Sequence, residues 1–469
     1  MGWANARALA AVQRQLQRID RQIGAERKKL LAALPARYGF VKTADFVAAV
    51  RAAVRREQPR RRVGSVFRLD NGLDELHCVQ QPAQGVNPAP PHRSPAYGPR
   101  SATAANAVVT AVDLFAGAGG FSLAATKLGI RVAAAVEQDA FACTTYRANF
   151  ITRRKNAPKL YDKDITALTP AVVASEVLAP TGHCDMIMGG PPCQGFSVHR
   201  INGAGVNDPR NALLLRYFEF VKVLAPKVFI LENVPGMLWP RHAEYVKNFY
   251  ALAAEAGYDV KPPQVLNARD YGVPQNRKRV FVLGIKRGLQ LAIAWPPPAT
   301  HFSPGSIEAT QQGRPAWRRA EEVFHAAPRG DLNNVHMNHC EELLAAFRTT
   351  PHNGGSRHQS NRQLPCHAGH DGHKDVYGRI DPRAPGPTMT TACINPSKGR
   401  FLHPTQDHGI TARQAARFQC FPDTFKFHGG LMAAGVQIGN AVPIALGTEV
   451  LRTILSGLRS AGLRKEEAA

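Results

Sequence analysis

The sequence predicts an α/β fold: a doubly wound, mostly parallel sheet, with a smaller irregular domain and a helical N-terminal extension. Three observations carry that prediction. From Ala107 to Leu283, short apolar runs alternate with helical segments, the pattern of strands joined through helices. Several runs end in glycine, proline or an acid, at the strand ends where open α/β sheets hold ligands. After about Gly284 the periodicity gives way to a Pro-, Gly-, Arg- and His-rich stretch, with 11 of the 17 histidines between His301 and His408.

Along the chain, residues 5–34 carry Val12, Leu16, Ile19, Ile23 and Leu30 at spacings of three, four and seven. They read as an amphipathic helix, packed in cis or in a short coiled coil. A second helix is expected over 43–56. Residues 57–106 are rich in Arg, Pro, Gln, Ser and Ala and read as a linker. Strands are expected at Val108–Phe115, Val132–Glu137, Met186–Met188, Val228–Glu232 and Val280–Leu283. Helices are expected at 121–129, 139–149, 211–225 and 242–256. Residues 411–459 return to helix, strand and helix.

The 469 residues carry a net charge of +24, which points to a polyanionic partner, nucleic acid being the commonest. The first 62 residues hold 15 Lys and Arg against 4 Asp and Glu, a surplus of 11, so the remaining +13 belongs to the body. The eight cysteines follow no repeating spacing, which argues against a disulfide framework. A free catalytic thiol needs a reducing compartment. No signal-like apolar segment opens the chain and no run of 18 apolar residues is present, so no membrane partner is expected.

The most informative motif is Gly189-Gly190-Pro191-Pro192-Cys193-Gln194-Gly195-Phe196-Ser197. It follows the apolar run Asp185–Met188, and its prolines and glycines impose a rigid, non-helical loop. Cys193 is thereby presented at a strand end as a candidate nucleophile; a structural cysteine in a turn is the alternative. Upstream, Asp113-Leu114-Phe115-Ala116-Gly117-Ala118-Gly119-Gly120-Phe121 reads as strand, glycine turn and helix, where backbone amides meet a ligand. Glu137 ends the next strand, where an acid binds a ribose hydroxyl pair, and Asp164-Ile165 follow in a short loop. Dinucleotide binding is a rival, but the full G-x-G-x-x-G is missing. Three further motifs follow: Glu232-Asn233-Val234 after an apolar run, Gln275-Asn276-Arg277-Lys278-Arg279 before a strand, and Gly439-Asn440-Ala441-Val442-Pro443 near the C-terminus.

In type, order and spacing these motifs resemble the bacterial DNA cytosine C5-methyltransferases, over about residues 107–460. The resemblance implies a Rossmann-like S-adenosylmethionine-dependent methyltransferase domain. Phe115, Gly117, Gly119 and Gly120 would line S-adenosylmethionine, Glu137 would hold its ribose, and Asp164 and Ile165 its adenine. Pro192, Asn440 and Val442 would complete that pocket. Cys193 resembles the nucleophile, Glu232 the carboxyl that engages the base, and Arg277 and Arg279 the pair steadying base and loop. Gln194, Ser197, Arg379 and Thr390 would contact DNA; the last two lie in Tyr377–Ile380 and Pro387–Thr391, which resemble the end of a target-recognition domain. Two departures stand out: Lys163 where glycine is usual, and Gln414 where glutamate is usual.

The implied division is a basic helical extension (1–60), a linker (61–106), a catalytic and cofactor-binding domain (107–290), a target-recognition domain (291–405), a return segment (406–460) and a flexible tail (461–469). Duplex DNA is the implied partner. A cognate restriction endonuclease is a candidate second one. A monomer is expected, with the N-terminal helix a candidate for association, in the bacterial cytoplasm at the nucleoid.

The chemistry fits these residue types. A thiolate added at C6 of cytosine makes C5 nucleophilic towards a sulfonium methyl group. A thiol near pKa 8.5 is little ionised at neutral pH, so a positive surround is expected; Arg277 or Arg279 supplies it. Glu232 would hydrogen-bond N3 as charge builds there. The target carbon is buried in a stacked duplex, so the base must flip out. The His336–Cys340 and Cys366–His373 clusters match no standard four-ligand spacing, and no metal is expected. Two other readings stay open: a tRNA cytosine-5 methyltransferase on the same catalytic fold, and a non-catalytic DNA-binding derivative.

Overall fold

The computed structural model of the protein describes residues 108–152, 154–178, 182–192, 209–361 and 375–466. The helices and linker expected before residue 107 lie outside that range, as do Cys193, Gln194 and Ser197.

Apolar runs flanked by glycine and proline become the longer strands, buried on both faces, and three short, partly exposed strands join them. They are β1 (Thr110–Leu114), β2 (Arg131–Val136), β3 (Lys159–Tyr161), β4 (Met186–Gly189), β5 (Val228–Asn233), β6 (Tyr258–Val260), β7 (Gln264–Asn267) and β8 (Lys278–Lys286). The sheet runs β3-β2-β1-β4-β5-β8-β6, and β7 also pairs with β8. The first five strands are mutually parallel. β8 is antiparallel to β5, β6 and β7. The connection from β7 to β8 is too short for a crossover helix, so the two strands form an antiparallel pair. β3, β6 and β7 escape the sequence reading because each is three or four residues long and carries polar residues.

Side chains alternate along each strand, so the two faces feed separate cores. One face packs Leu114, Ile187, Phe229 and Leu231 against Phe218 of α3 (Pro209–Leu224) and Phe249 of α4 (Ala243–Glu255). The other packs Ala111, Met186, Val228 and Ile230 against Phe121 and Ala124 of α1 (Gly120–Lys127) and Val450 and Ile454 of α8 (Ile444–Glu466). The sheet is therefore doubly wound, as expected. The helix expected over 139–149 is shorter, α2 (Ala140–Tyr146), and widens into a π-turn over Arg147–Ile151. α8 continues to Glu466, past the expected tail boundary at 461; Leu463, Arg464, Lys465 and Glu466 are good helix formers. Segment 430–461 has a window of mean hydropathy 1.3, apolar and long enough to cross a membrane, but 67% of that window is buried inside the fold. Its apolarity serves the core.

Among the described residues of 291–405 coil predominates, with one longer helix, α5 (Glu341–Thr349). Ala320, Val323, Met389 and Phe401 share a core with Phe418 of α6 (Ala412–Phe418), Ile438 of α7 (Gly430–Asn440), and Tyr146 and Phe150 beside the β1 loop. Gln414, one of the two departures, completes a capping box with Thr411: Thr411 N donates to its Oε1 at 2.9 Å and Gln414 N to Thr411 Oγ1 at 3.1 Å. Glutamine serves that role as glutamate does.

Coil has no ladder to satisfy its carbonyls, so side chains must do so. Buried arginines supply the donors. Arg413 bonds Asp331 through Nε and Nη2 (2.5 and 3.0 Å) and the Phe425 carbonyl at 2.8 Å. Arg417 reaches Asp423 and the carbonyls of Val323 and His325. Histidines add a second device. His336 and His408 stack with ring centroids 4.0 Å apart, and His403 Nδ1 accepts the backbone N–H groups of Thr405 and Gln406. Burial pushes His403 down to about 3 and His339 and His408 to about 4.

These histidines are neutral when folded, with pKa values below the unfolded 6.5. Their contribution is therefore complete above about pH 6.5 and is lost as pH falls through about 4 and then 3. The melting temperature should drop between about pH 6.5 and 4.5. His403→Asn, which keeps an acceptor but cannot titrate, should flatten the drop. A melting temperature that is constant over that range contradicts this account.

Candidate active site

The strand order reverses beside β1: the chain fills β2 and β3 on one side, then β4 and β5 on the other. The carboxyl ends of β1 and β4 therefore border the switch-point crevice where such sheets bind ligands. Leu114 pairs with Gly189 in register, so the glycine-rich loop and the Pro-Pro-Cys loop leave the sheet side by side.

The β1 loop bends through three left-handed positions, Phe115, Gly117 and Gly119, at φ of 60°, 55° and 96°. Gly119 has no room for a side chain: a Cβ there would lie 2.3 Å from the Phe150 ring. At Gly120 it would lie 2.8 Å from the Val442 carbonyl, which brings the C-terminal G-N-A-V-P segment against the loop. At Gly117 it would meet nothing within 4 Å, so open space faces the backbone there. Beneath the loop, Ser122 Oγ donates to buried Asp113 at 2.6 Å and sits 2.7 Å from Tyr146 Oη. Burial pushes the Asp113 carboxyl up to about 7, against the opposing Ser122 bond.

Glu137 follows β2. Its Oε2 accepts Gly117 N at 2.8 Å, and its Oε1 accepts Gln138 N and Asp139 N. That pins the carboxylate and leaves lone-pair capacity on Oε2 for a hydroxyl. Asp164 is exposed and caps the turn at Ile165–Ala167 through Thr166 N and Oγ1. Those bonds hold its carboxyl below the usual range. Ile165 is buried, Asn440 exposed and Val442 buried. A glycine loop with open space before it, a pinned acid and an exposed second acid fit a nucleoside-bearing cofactor.

The base-binding edge is built from β4, β5 and β8. Gly189 pairs with Leu231, so Gly190 falls beside Glu232; a Cβ on Gly190 would sit 3.0 Å from Glu232 Oε2. Asn233 Nδ2 donates to the Pro191 carbonyl at 3.3 Å, tying the loop to β5. Glu232 lies opposite Phe281 of β8, and Arg279, two residues earlier on the same face, reaches Glu232 Oε1 at 2.9 Å. Burial holds the Glu232 carboxyl above its ordinary range; Arg279 and then Arg277 offset part of that rise. A carboxyl so placed can donate as well as accept a hydrogen bond.

The arginine pair separates into two roles. Arg279 is partly exposed beside Glu232. Arg277 is buried, and its guanidinium bonds the carbonyls of Met389 (2.6 Å) and Gly439 (2.7 Å).

A model of the C-5 cytosine-specific DNA methylase family matches residues 109–456. The chain belongs to that family. It is similar to the Type II methyltransferase M1.HphI of Haemophilus parahaemolyticus, 33% identical over 74% of this chain and 87% of that one. It is also 33% identical to M.DdeI of Desulfomicrobium norvegicum, over 71% and 85%. A solved structure described as a prophage-encoded DNA modification methyltransferase from E. coli matches with TM-score 0.56 at 24% identity, covering 75% of this chain and 99% of that one; it supports the fold. The chain is accordingly a DNA cytosine-5-methyltransferase, and its cofactor is S-adenosylmethionine.

Within that methyltransferase, Thr390 is exposed. Arg379 corrects the sequence reading. It is fully buried, and all five of its N–H groups are used. Nε and Nη2 reach the Thr350 and Phe347 carbonyls, Nη1 reaches those of His403 and Gln406, and Nη2 also reaches Asp407. No donor remains for DNA. The sequence singled out Gln275 within its motif without a role and gave Gln419 none; both are buried and bonded to each other.

Glu232→Gln should lower turnover by roughly two to four powers of ten, with cofactor affinity little changed. A variant with near-normal turnover removes Glu232 from the chemistry. Arg379→Met should lose about 2–4 kcal/mol of stability, because buried carbonyls lose their donors, and leave the salt dependence of DNA binding as it was. Unchanged stability with a weaker salt dependence would return Arg379 to the DNA.

Proposed function

We propose that this methyltransferase acts on a cytosine flipped out of duplex DNA, with Cys193 as nucleophile and residues 291–405 choosing the sequence. The observation that supports this best is the meeting of three parts at one sheet edge. The loop leading to Cys193 leaves β4 beside the glycine-rich loop of β1, and Glu232 faces the same loop at Gly190.

The Cys193 thiolate adds to C6, and the C5–C6 π electrons move towards N3. Glu232, held above the ordinary carboxyl range by burial, hydrogen-bonds or protonates N3 as that charge builds. Arg279 holds the Glu232 carboxyl in place. S-adenosylmethionine, when bound, would supply an electrophilic methyl group to C5, its S–CH3 bond breaking so that S-adenosylhomocysteine is left as the neutral thioether. A base then removes the C5 proton, the double bond re-forms, and Cys193 leaves as thiolate. Phe115, Gly117, Gly119, Gly120, Glu137, Asp164, Ile165, Pro192, Asn440 and Val442 hold the cofactor. Gln194, Ser197 and Thr390 are the proposed DNA contacts.

The relatives' names place them among Type II methyltransferases. We extend that to a restriction-modification role or a solitary methylase, working as a monomer on nucleoid DNA in the cytoplasm.

Duplex DNA containing 5-fluorocytosine should trap the protein, because the fluorine on C5 cannot leave as the proton does. Cys193→Ser should abolish the trapped species. Equal trapping by that variant would move the nucleophile elsewhere.

A further inference from the structure

Two buried glutamines join the part of the chain that faces DNA to the wall of the cofactor pocket. Gln275 opens the Q-N-R-K-R motif, and Gln419 follows α6. Both are fully buried. Gln275 Nε2 donates to Gln419 Oε1 and to the Phe418 carbonyl, each at 2.9 Å. Its Oε1 accepts Met389 N at 2.7 Å. Gln419 Nε2 donates onward to the carbonyls of Ile438 at 2.6 Å and Ala441 at 3.1 Å. The path therefore runs from Met389, next to exposed Thr390, through two amides to Ala441, next to Val442.

The path's cofactor end is under constraint. Ile438 and Gly439 lie in the last turn of α7, whose carbonyls lack partners within the helix. Gln419 gives the Ile438 carbonyl a 2.6 Å bond beside a longer one from the Ala441 N–H at 3.3 Å, and Arg277 satisfies the Gly439 carbonyl with a charge that suits a helix C-terminus. The DNA end is equally tight: a Cβ on Gly439 would lie 2.3 Å from the Thr390 backbone. Movement of Thr390 must therefore be met by α7, and α7 ends in the segment that packs on Gly120.

An amide is a directional part. Each glutamine offers one acceptor and one donor group, both committed here, so neither side chain can rotate without breaking bonds at both ends. Arg277 alone would tie the same elements, since it bonds Met389 and Gly439 directly. The glutamines add a second connection that fixes the register between the two.

We propose that Gln275 and Gln419 are positioning residues that link occupancy of the DNA site to the shape of the cofactor wall. The inference rests on the methyl-transfer reading above. Gln419 supports the wall directly, whereas Gln275 reaches it only through Gln419. The two should therefore differ when substituted.

The test measures the dissociation constant of S-adenosylhomocysteine alone and with a saturating mixed-sequence duplex fragment. For the wild-type chain the two values should differ by about tenfold, the size of an ordinary coupling between sites. Gln275→Met should leave the DNA-free value within about threefold and reduce the ratio towards one. Gln419→Met should also weaken binding without DNA. Should the methionine variant of Gln275 not fold, Gln275→Glu keeps the acceptor for Met389 and removes both donors. A merely structural role lowers the melting temperature without changing the ratio. The proposal is overturned if the wild-type ratio is one, or if a folded Gln275 variant keeps the wild-type ratio. Failure of the wild-type chain to methylate any duplex would instead sink the functional reading, and it is scored separately by methyl incorporation.

Discussion

A carboxyl group buried at the edge of a sheet must be paired or protonated, and Glu232 is held between those two conditions. Desolvation favours the neutral form, while Arg279 at 2.9 Å favours the charged one. The surrounding architecture follows from keeping that balance. Gly190 has no side chain because Glu232 occupies the space. Asn233 fixes the neighbouring loop through Pro191. β8 runs antiparallel beside β5, which sets Phe281 opposite Glu232 and Arg279 diagonally across from it. One titratable group thereby governs the residue types at three strand ends.

The irregular segment solves a different problem with the same residue type. Its coil carbonyls have no strand partners, and buried guanidinium groups serve them instead. Arg379 gathers carbonyls from two separate stretches, Phe347 with Thr350 and His403 with Gln406, while Arg417 serves those of Val323 and His325 and Arg413 that of Phe425, just after α6. The positive charge of the chain is thus partly internal: some arginines stabilise coil, and only those with donors to spare can meet phosphate. This is why a strongly basic composition overstates the DNA-contacting surface.

The sheet was legible in the sequence because strands buried on both faces are continuous apolar runs, as the parallel β1, β2, β4 and β5 and the antiparallel β8 are. The sequence marked Glu232 and Arg279 in separate motifs, and only the antiparallel pairing of β5 with β8 brings them into contact. Arg379 was misread because an arginine that binds carbonyls and one that binds phosphate look alike in a sequence; only burial separates them. Gln275 stood in a quoted motif but its role did not show, and Gln419 carried no signal, since their partners lie on segments distant in the chain. The short strands β3, β6 and β7 were missed because three or four residues hold too little periodicity to register.

The central claim is that this architecture delivers methyl groups to C5 of cytosine in duplex DNA. Bisulfite sequencing of plasmid DNA from cells expressing the chain tests it most directly. The account predicts protected cytosines confined to one recurring sequence context. Complete conversion of the plasmid, with new C5 methylation appearing in tRNA from the same cells, would contradict it.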